Sequence, residues 1–209
     1  MPDLIIKPTA TSGNKLILKD QAGGAVLTTA DSGAPAANVT LSTGSIGSAV
    51  TGYTGIKEVD LWRLTTSHTN SCEFTSNIER ADTYGFGKLG TGMTESSGIF
   101  TFPSTGYWEV RFQMMVYYNG DSRWNDSLIY VSTDSGGSWG MASKTSCMIQ
   151  QTSSNTTYSS CNSSTIVDVT NTSTVKVKFK ADVTNSSAIV AGNTNETLTG
   201  FTFMRIGDT

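Results

Sequence analysis

The feature that most constrains this chain is strict alternation of apolar and polar side chains in two long runs. In 107–116, Trp108, Val110, Phe112, Met114 and Val116 fall on one face and Glu109, Arg111 and Gln113 on the other. The run 174–180 sets Val175, Val177 and Phe179 against Lys176, Lys178 and Lys180, lysines that also discourage edge pairing. A period of two fits strands with one buried and one wet face, and no helix satisfies it. Composition agrees: charged residues are 15% of the chain against roughly 25% in ordinary soluble domains. Ser, Thr, Asn and Gly fill the gap, a poor mixture for helices. An all-β fold is expected.

The 209 residues exceed what one small domain needs. Residues 1–30 carry short apolar bursts, Leu4-Ile5-Ile6, Leu16-Ile17-Leu18 and Val26-Leu27, separated by turn residues. From 31 to 55 the chain turns to Ala, Ser, Gly and Thr, too little apolar surface to offset ordering entropy, and reads as a linker. Dense apolar clusters begin near Ile56, so 56–209 is read as the main domain. The start lacks the basic and apolar parts of a signal peptide, and no apolar run has membrane-spanning length, so neither secretion nor membrane insertion is expected. A net charge of -3 implies no nucleic-acid partner. Cys72, Cys147 and Cys161 are too scattered for a disulfide scaffold and lack zinc-ligand spacing, and free thiols in a reducing compartment are the simpler reading.

Two segments look apolar on both sides. Phe201 and Phe203 alternate with Met204 and Ile206 on the opposite face, and Leu128-Ile129-Tyr130-Val131 repeats the pattern. A lone sandwich buries one face of each sheet, so either sister subunits or a folded-back part of this chain covers the other. Subunit association is the favoured expectation, with Phe201, Phe203, Met204, Ile206, Ile129 and Val131 as interface residues.

Little in the chain points to chemistry. The single His68 has no acid or nucleophile in a recognisable context, and no phosphate loop, nucleophile elbow or zinc helix is present, so no enzyme and no cofactor are expected. Ser132, Asp134, Gly136 and Trp139 match the Ser-x-Asp-x-Gly-x-x-Trp turn of sialidase propellers. In that turn the Asp accepts backbone N–H groups, so it is a structural device, and a propeller needs several copies. Asp121, Asp126 and Asp134 read as solvated turns, and no metal site is assigned. Tyr117, Tyr118, Arg123 and Trp124 mix aromatic and basic groups in one loop region, which suits stacking on a host surface glycan or packing alone.

The stretch 98–112 resembles the signature of the complement first-component q globular head, a relative of tumour necrosis factor. Phe100, Pro103 and Gly106 match it directly, Trp108 stands where that family has Tyr and Val110 where it has Phe, and Phe112 closes the stretch that carries the signature. Gly200 and Phe201 resemble the family's closing strand. The resemblance implies a ten-stranded jelly roll that assembles as a homotrimer. Leu4-Ile5-Ile6-Lys7-Pro8, the segment 14–20 and Leu61-Trp62-Arg63-Leu64-Thr65-Thr66 resemble structural proteins of aquatic tailed bacteriophages. That similarity implies a virion protein assembled in the host bacterial cytoplasm. Its residues 1–30 would attach to major capsid or tail proteins, and its head would serve as a capsid decoration, head fibre or short tail fibre. The alternative expectation is a receptor- or glycan-binding adhesin module of a tail fibre.

Overall fold

The computed structural model describes residues 56–85 and 87–209, with residues 17–19, 21–22, 25–28 and 40–41 of the preceding part. The chain divides into two units, 1–55 and 56–209. In the first, β1 (Ile17–Lys19), β2 (Ala25–Thr28) and β3 (Thr40–Leu41) form a small antiparallel sheet. The remainder of the anchoring segment 1–30 and of the linker 31–55 lies outside the described residues.

The second unit is built of strands throughout. In chain order these are β4 (Val59–Leu64), β5 (Thr66–Thr69), β6 (Cys72–Glu73), β7 (Ile78–Arg80), β8 (Thr94–Ser96), β9 (Ile99–Thr101) and β10 (Gly106–Tyr118). They continue with β11 (Ser122–Ser132), β12 (Gly140–Ile149), β13 (Thr157–Val169), β14 (Lys176–Val183), β15 (Ile189–Asn193) and β16 (Gly200–Gly207). Strands β5 to β9 are two to four residues long, which is why there are more segments than the ten expected. All pairings are antiparallel and form two sheets. The first runs β5-β15-β10-β16-β4-β7 with β13 on the free side of β10, and the second runs β12-β11-β14-β9-β8 with β6 beside β14.

The alternation read from the sequence is the alternation of the sheets. Trp108, Val110, Phe112, Met114 and Val116 of β10 and Val177, Phe179, Ala181 and Val183 of β14 all point into one core. Aromatic rings fill its centre. Phe179 stacks on Phe201 with centroids 4.4 Å apart, and Phe100 meets Phe203 at 5.0 Å and Trp62 edge-on at 5.4 Å. Such contacts add about 0.5–1.5 kcal/mol each beyond area burial.

The signature residues have individual reasons. Phe100, Trp108, Val110, Phe112 and Phe201 are core residues. Pro103 sits in the turn between β9 and β10, latched by the Trp108 indole N–H on the Ser104 carbonyl at 3.1 Å. Gly106 has φ +129°, and a side chain there would collide with the Gly207 carbonyl oxygen, so close approach of β16 demands glycine. Gly200 is buried, and a β-carbon there would run into the Thr197 methyl group.

Candidate self-association and recognition surfaces

The two-sided strands resolve differently from the sequence expectation. Phe201, Phe203 and Ile129 are fully buried inside the subunit, and Val131 packs against the same core. These four are therefore not exposed interface residues. Two sheets that share one aromatic centre consume the inward face of both β11 and β16, which periodicity alone cannot distinguish from an external contact. Leu128, on the outer face of β11, is covered too, flanked in register by Lys144 and Lys180, whose stems suit an apolar neighbour.

Met204 and Ile206 do point outward, Ile206 being 49% exposed. On the outer face of the first sheet, the ladders align Ile166 with Glu109, Met204 and Val59, and Ser164 with Arg111, Thr202 and Leu61. A polar groove of about 370 Å³ runs through the middle, lined by Glu109, Arg111, Gln113, Asn162, Ser163, Ser164 and Thr202. The Arg111 Nε lies 2.7 Å from the Glu109 carboxylate. At one end stand Tyr107, Met204, Ile206 and Ile166, the last 62% exposed, and at the other the Tyr117 ring packs on Tyr158 at 5.2 Å.

The four aromatic and basic residues picked from sequence are not one cluster. Tyr117 belongs to the outer face of the first sheet and Tyr118 packs against the core, while Arg123 and Trp124 are exposed on the second sheet. The chain reverses between Tyr118 and Ser122, so neighbours in sequence part company across the sandwich. Trp124, 41% exposed, stands on a rigid base. Its N–H donates to the Thr184 hydroxyl at 2.9 Å, and its carbonyl accepts from the Thr184 N–H at 3.0 Å and hydroxyl at 2.6 Å. The Lys144 ammonium is 5.9 Å from the indole ring and pairs with the buried Asp126. Three loops are tied together nearby: the Asp121 carboxylate accepts the Gln151 N–H at 2.7 Å, its carbonyl accepts from the Asn185 amide at 3.1 Å, and Gln151 donates to Asn119 at 2.8 Å.

The hairpin between β11 and β12 forms the turn its motif predicts. The Ser138 N–H and hydroxyl both donate to Asp134, at 2.8 and 2.6 Å, and the Ser132 hydroxyl donates to Asp134 at 2.7 Å while accepting the Gly136 N–H at 2.8 Å. Gly136 has φ +93°, and Lys178 lies 4.7 Å over the Trp139 ring. The Ser138 bonds, joined by Ser132, pull Asp134 down to about 2. Asp121, Asp126 and Asp134 thus serve three separate bonding arrangements. His68 is exposed on β5, with Nδ1 2.8 Å from the Thr69 carbonyl oxygen.

Sequence reasoning passed over one buried charge network. Asp60 accepts the Trp62 indole N–H at 2.9 Å, the Arg80 guanidinium at 2.9 and 3.1 Å and the Met93 N–H at 2.8 Å. Arg63, equally buried, donates to Glu79, Asp82 and Thr83. The available signal was two charges inside the apolar run 59–64.

No protein-family model matches the chain, and no curated protein matches it significantly in sequence. Solved structures do match. Murine APRIL at pH 5.0 is similar over 71% of this chain and 98% of that one, at 13% identity and a TM-score of 0.50. Eiger TNF from S. frugiperda is similar over 72% of this chain and 93% of that one, at 11% identity and a TM-score of 0.51. At such identities the likeness is one of architecture, and it agrees with the two antiparallel sheets and the single core: the chain carries an all-β jelly roll of the tumour-necrosis-factor type.

Proposed function

We propose that the chain is a structural appendage of a tailed-bacteriophage particle, a homotrimer that displays the jelly-roll head and attaches through residues 1–30, with 31–55 as the spacer. Capsid decoration, head fibre and short tail fibre are the forms this takes. The chain itself performs no catalysis in this reading. The observation that carries it is the outer face of the first sheet, where Tyr107, Ile166 and Ile206 stay exposed around Met204 although the core is complete without them. Burying each such side chain contributes about 1.5–3 kcal/mol, enough over three copies to hold an assembly together. The resemblance of 98–112 to the complement q head supports a threefold arrangement, and the resemblance of the N-terminal segments to phage structural proteins supports the particle.

Sedimentation velocity of the full chain tests the assembly. A species of three 22.2 kDa chains is expected, and Met204→Asp is expected to release single chains, because a carboxylate buried without a partner is costly. Solitary wild-type chains at micromolar concentration would overturn the reading. Mass spectrometry and cryo-electron microscopy of purified particles test the location, and particles without the chain would refute it.

A second reading, a host-glycan adhesin, is favoured by the exposed and rigidly held Trp124 beside Arg123 and Lys144. Trp124→Ala is expected to abolish retention on host envelope glycans with assembly unchanged. Equal retention by mutant and wild type removes this site.

A further inference from the structure

Along one long side of the sandwich the two sheets end in β12 and β13, the edge strand of the second sheet beside the edge strand of the first. Each carries one cysteine, and both are organised around Asn125 of β11. Cys147 lies directly opposite Asn125 in the ladder and accepts its side-chain amide on the carbonyl at 3.4 Å. The Cys161 thiol lies 3.6 Å from the Asn125 carbonyl oxygen. Cys161 belongs to the core and Cys147 is half-buried against it, so the two side chains reach the core beside the same Asn125. Cys72, by contrast, lies on β6 opposite Ala181 of β14.

We propose that Cys147 and Cys161 are a modification site, a dithiol that closes to a disulfide across the edge of the sandwich on meeting a small disulfide of the glutathione class. Their convergence on Asn125 from two adjoining edge strands supplies the contact. The neighbouring Cys147 thiol holds Cys161 down against the opposing effect of burial, while Cys161 and burial together push Cys147 up. Cys147, the thiol with solvent access, attacks the small disulfide and gives up its proton to the departing small thiolate. The first small thiolate leaves as a thiol, and Cys147 is left as a mixed disulfide. Cys161, as thiolate, then attacks the Cys147 sulfur and expels the second small thiol. Two electrons pass from the protein sulfurs to one small disulfide, and two small thiols are released.

The product ties the two sheets together at their open side and closes the segment 148–160 into a loop. Because a cross-link of that length restricts the unfolded chain, the melting temperature is expected to rise on the order of 5–10 °C. Cys72 takes no part, because β14 separates it from Asn125 of β11.

The test incubates the reduced full chain with glutathione disulfide, then alkylates under denaturing conditions and maps peptides by mass spectrometry. The expected result is loss of two hydrogen atoms per chain, a Cys147–Cys161 cross-linked peptide, alkylation of Cys72 alone and a raised melting temperature. Cys161→Ser is expected to arrest with glutathione on Cys147, and Cys147→Ser to take up none on Cys161. A wild-type chain in which all three cysteines alkylate, a lasting glutathione adduct, or a disulfide joining two chains would each overturn the assignment. The wild-type measurement decides the matter even where a variant fails to fold.

Discussion

Asp60 is completely buried in a strand that otherwise supplies core and sheet-face residues, and it persists there because four donors surround it. Removing the carboxylate strands the Arg80 guanidinium, which also covers the Trp62 ring at 4.5 Å. Asp60→Ala is therefore expected to destabilise the head by about 3 kcal/mol, less than a wholly enclosed pair because Arg80 is partly solvated. Calorimetry would register this as a fall in melting temperature of roughly 6–12 °C. Asp134 offers a milder case, being exposed. Its folded value of about 2 lies below the unfolded value of about 3.9, so its contribution is complete above the latter and fades as pH falls through the former. Carboxyl NMR titration is expected to show Asp134 ionised down to about pH 2, and Ser138→Ala to return it toward the ordinary range.

Among the elements, β10 shows why a glycine ends up as a signature. At φ +129° and against the Gly207 carbonyl, Gly106 admits no side chain without pushing β16 off its neighbour. Gly106→Ala is expected to cost about 1–3 kcal/mol, read as a lower urea midpoint with unchanged slope. The long strands β10 and β14 were legible from period alone, because one face of each is buried and the other is wet. The hairpin turn was legible because its chemistry is local. The short strands β5 to β9 were not, since two to four residues carry no period. Nor was the destination of Phe201, Phe203 and Ile129, because an apolar residue looks the same facing its own core or a neighbour. The convergence of Cys147 and Cys161 on Asn125 escaped for a related reason: it brings together the edges of two sheets, and spacing along the chain says nothing about which edges meet.

At the scale of the molecule, the division at 55/56 separates a small sheet from a unit with a complete core. Residues 56–209 produced alone are expected to melt within a few degrees of the full chain and to keep its sedimentation state, checked by calorimetry and ultracentrifugation. Failure of that fragment to fold would show that the head depends on what precedes it. The position of β10 carries a consequence for how the head opens. It is flanked by β13 along its whole length on one side, and by β16 and then β15 on the other. Amide protons of Val110 and Phe112 should then exchange with deuterium only when the entire unit unfolds, while those of the rim strand β12 exchange through small openings, so that solvent gains entry from the β12 side inward.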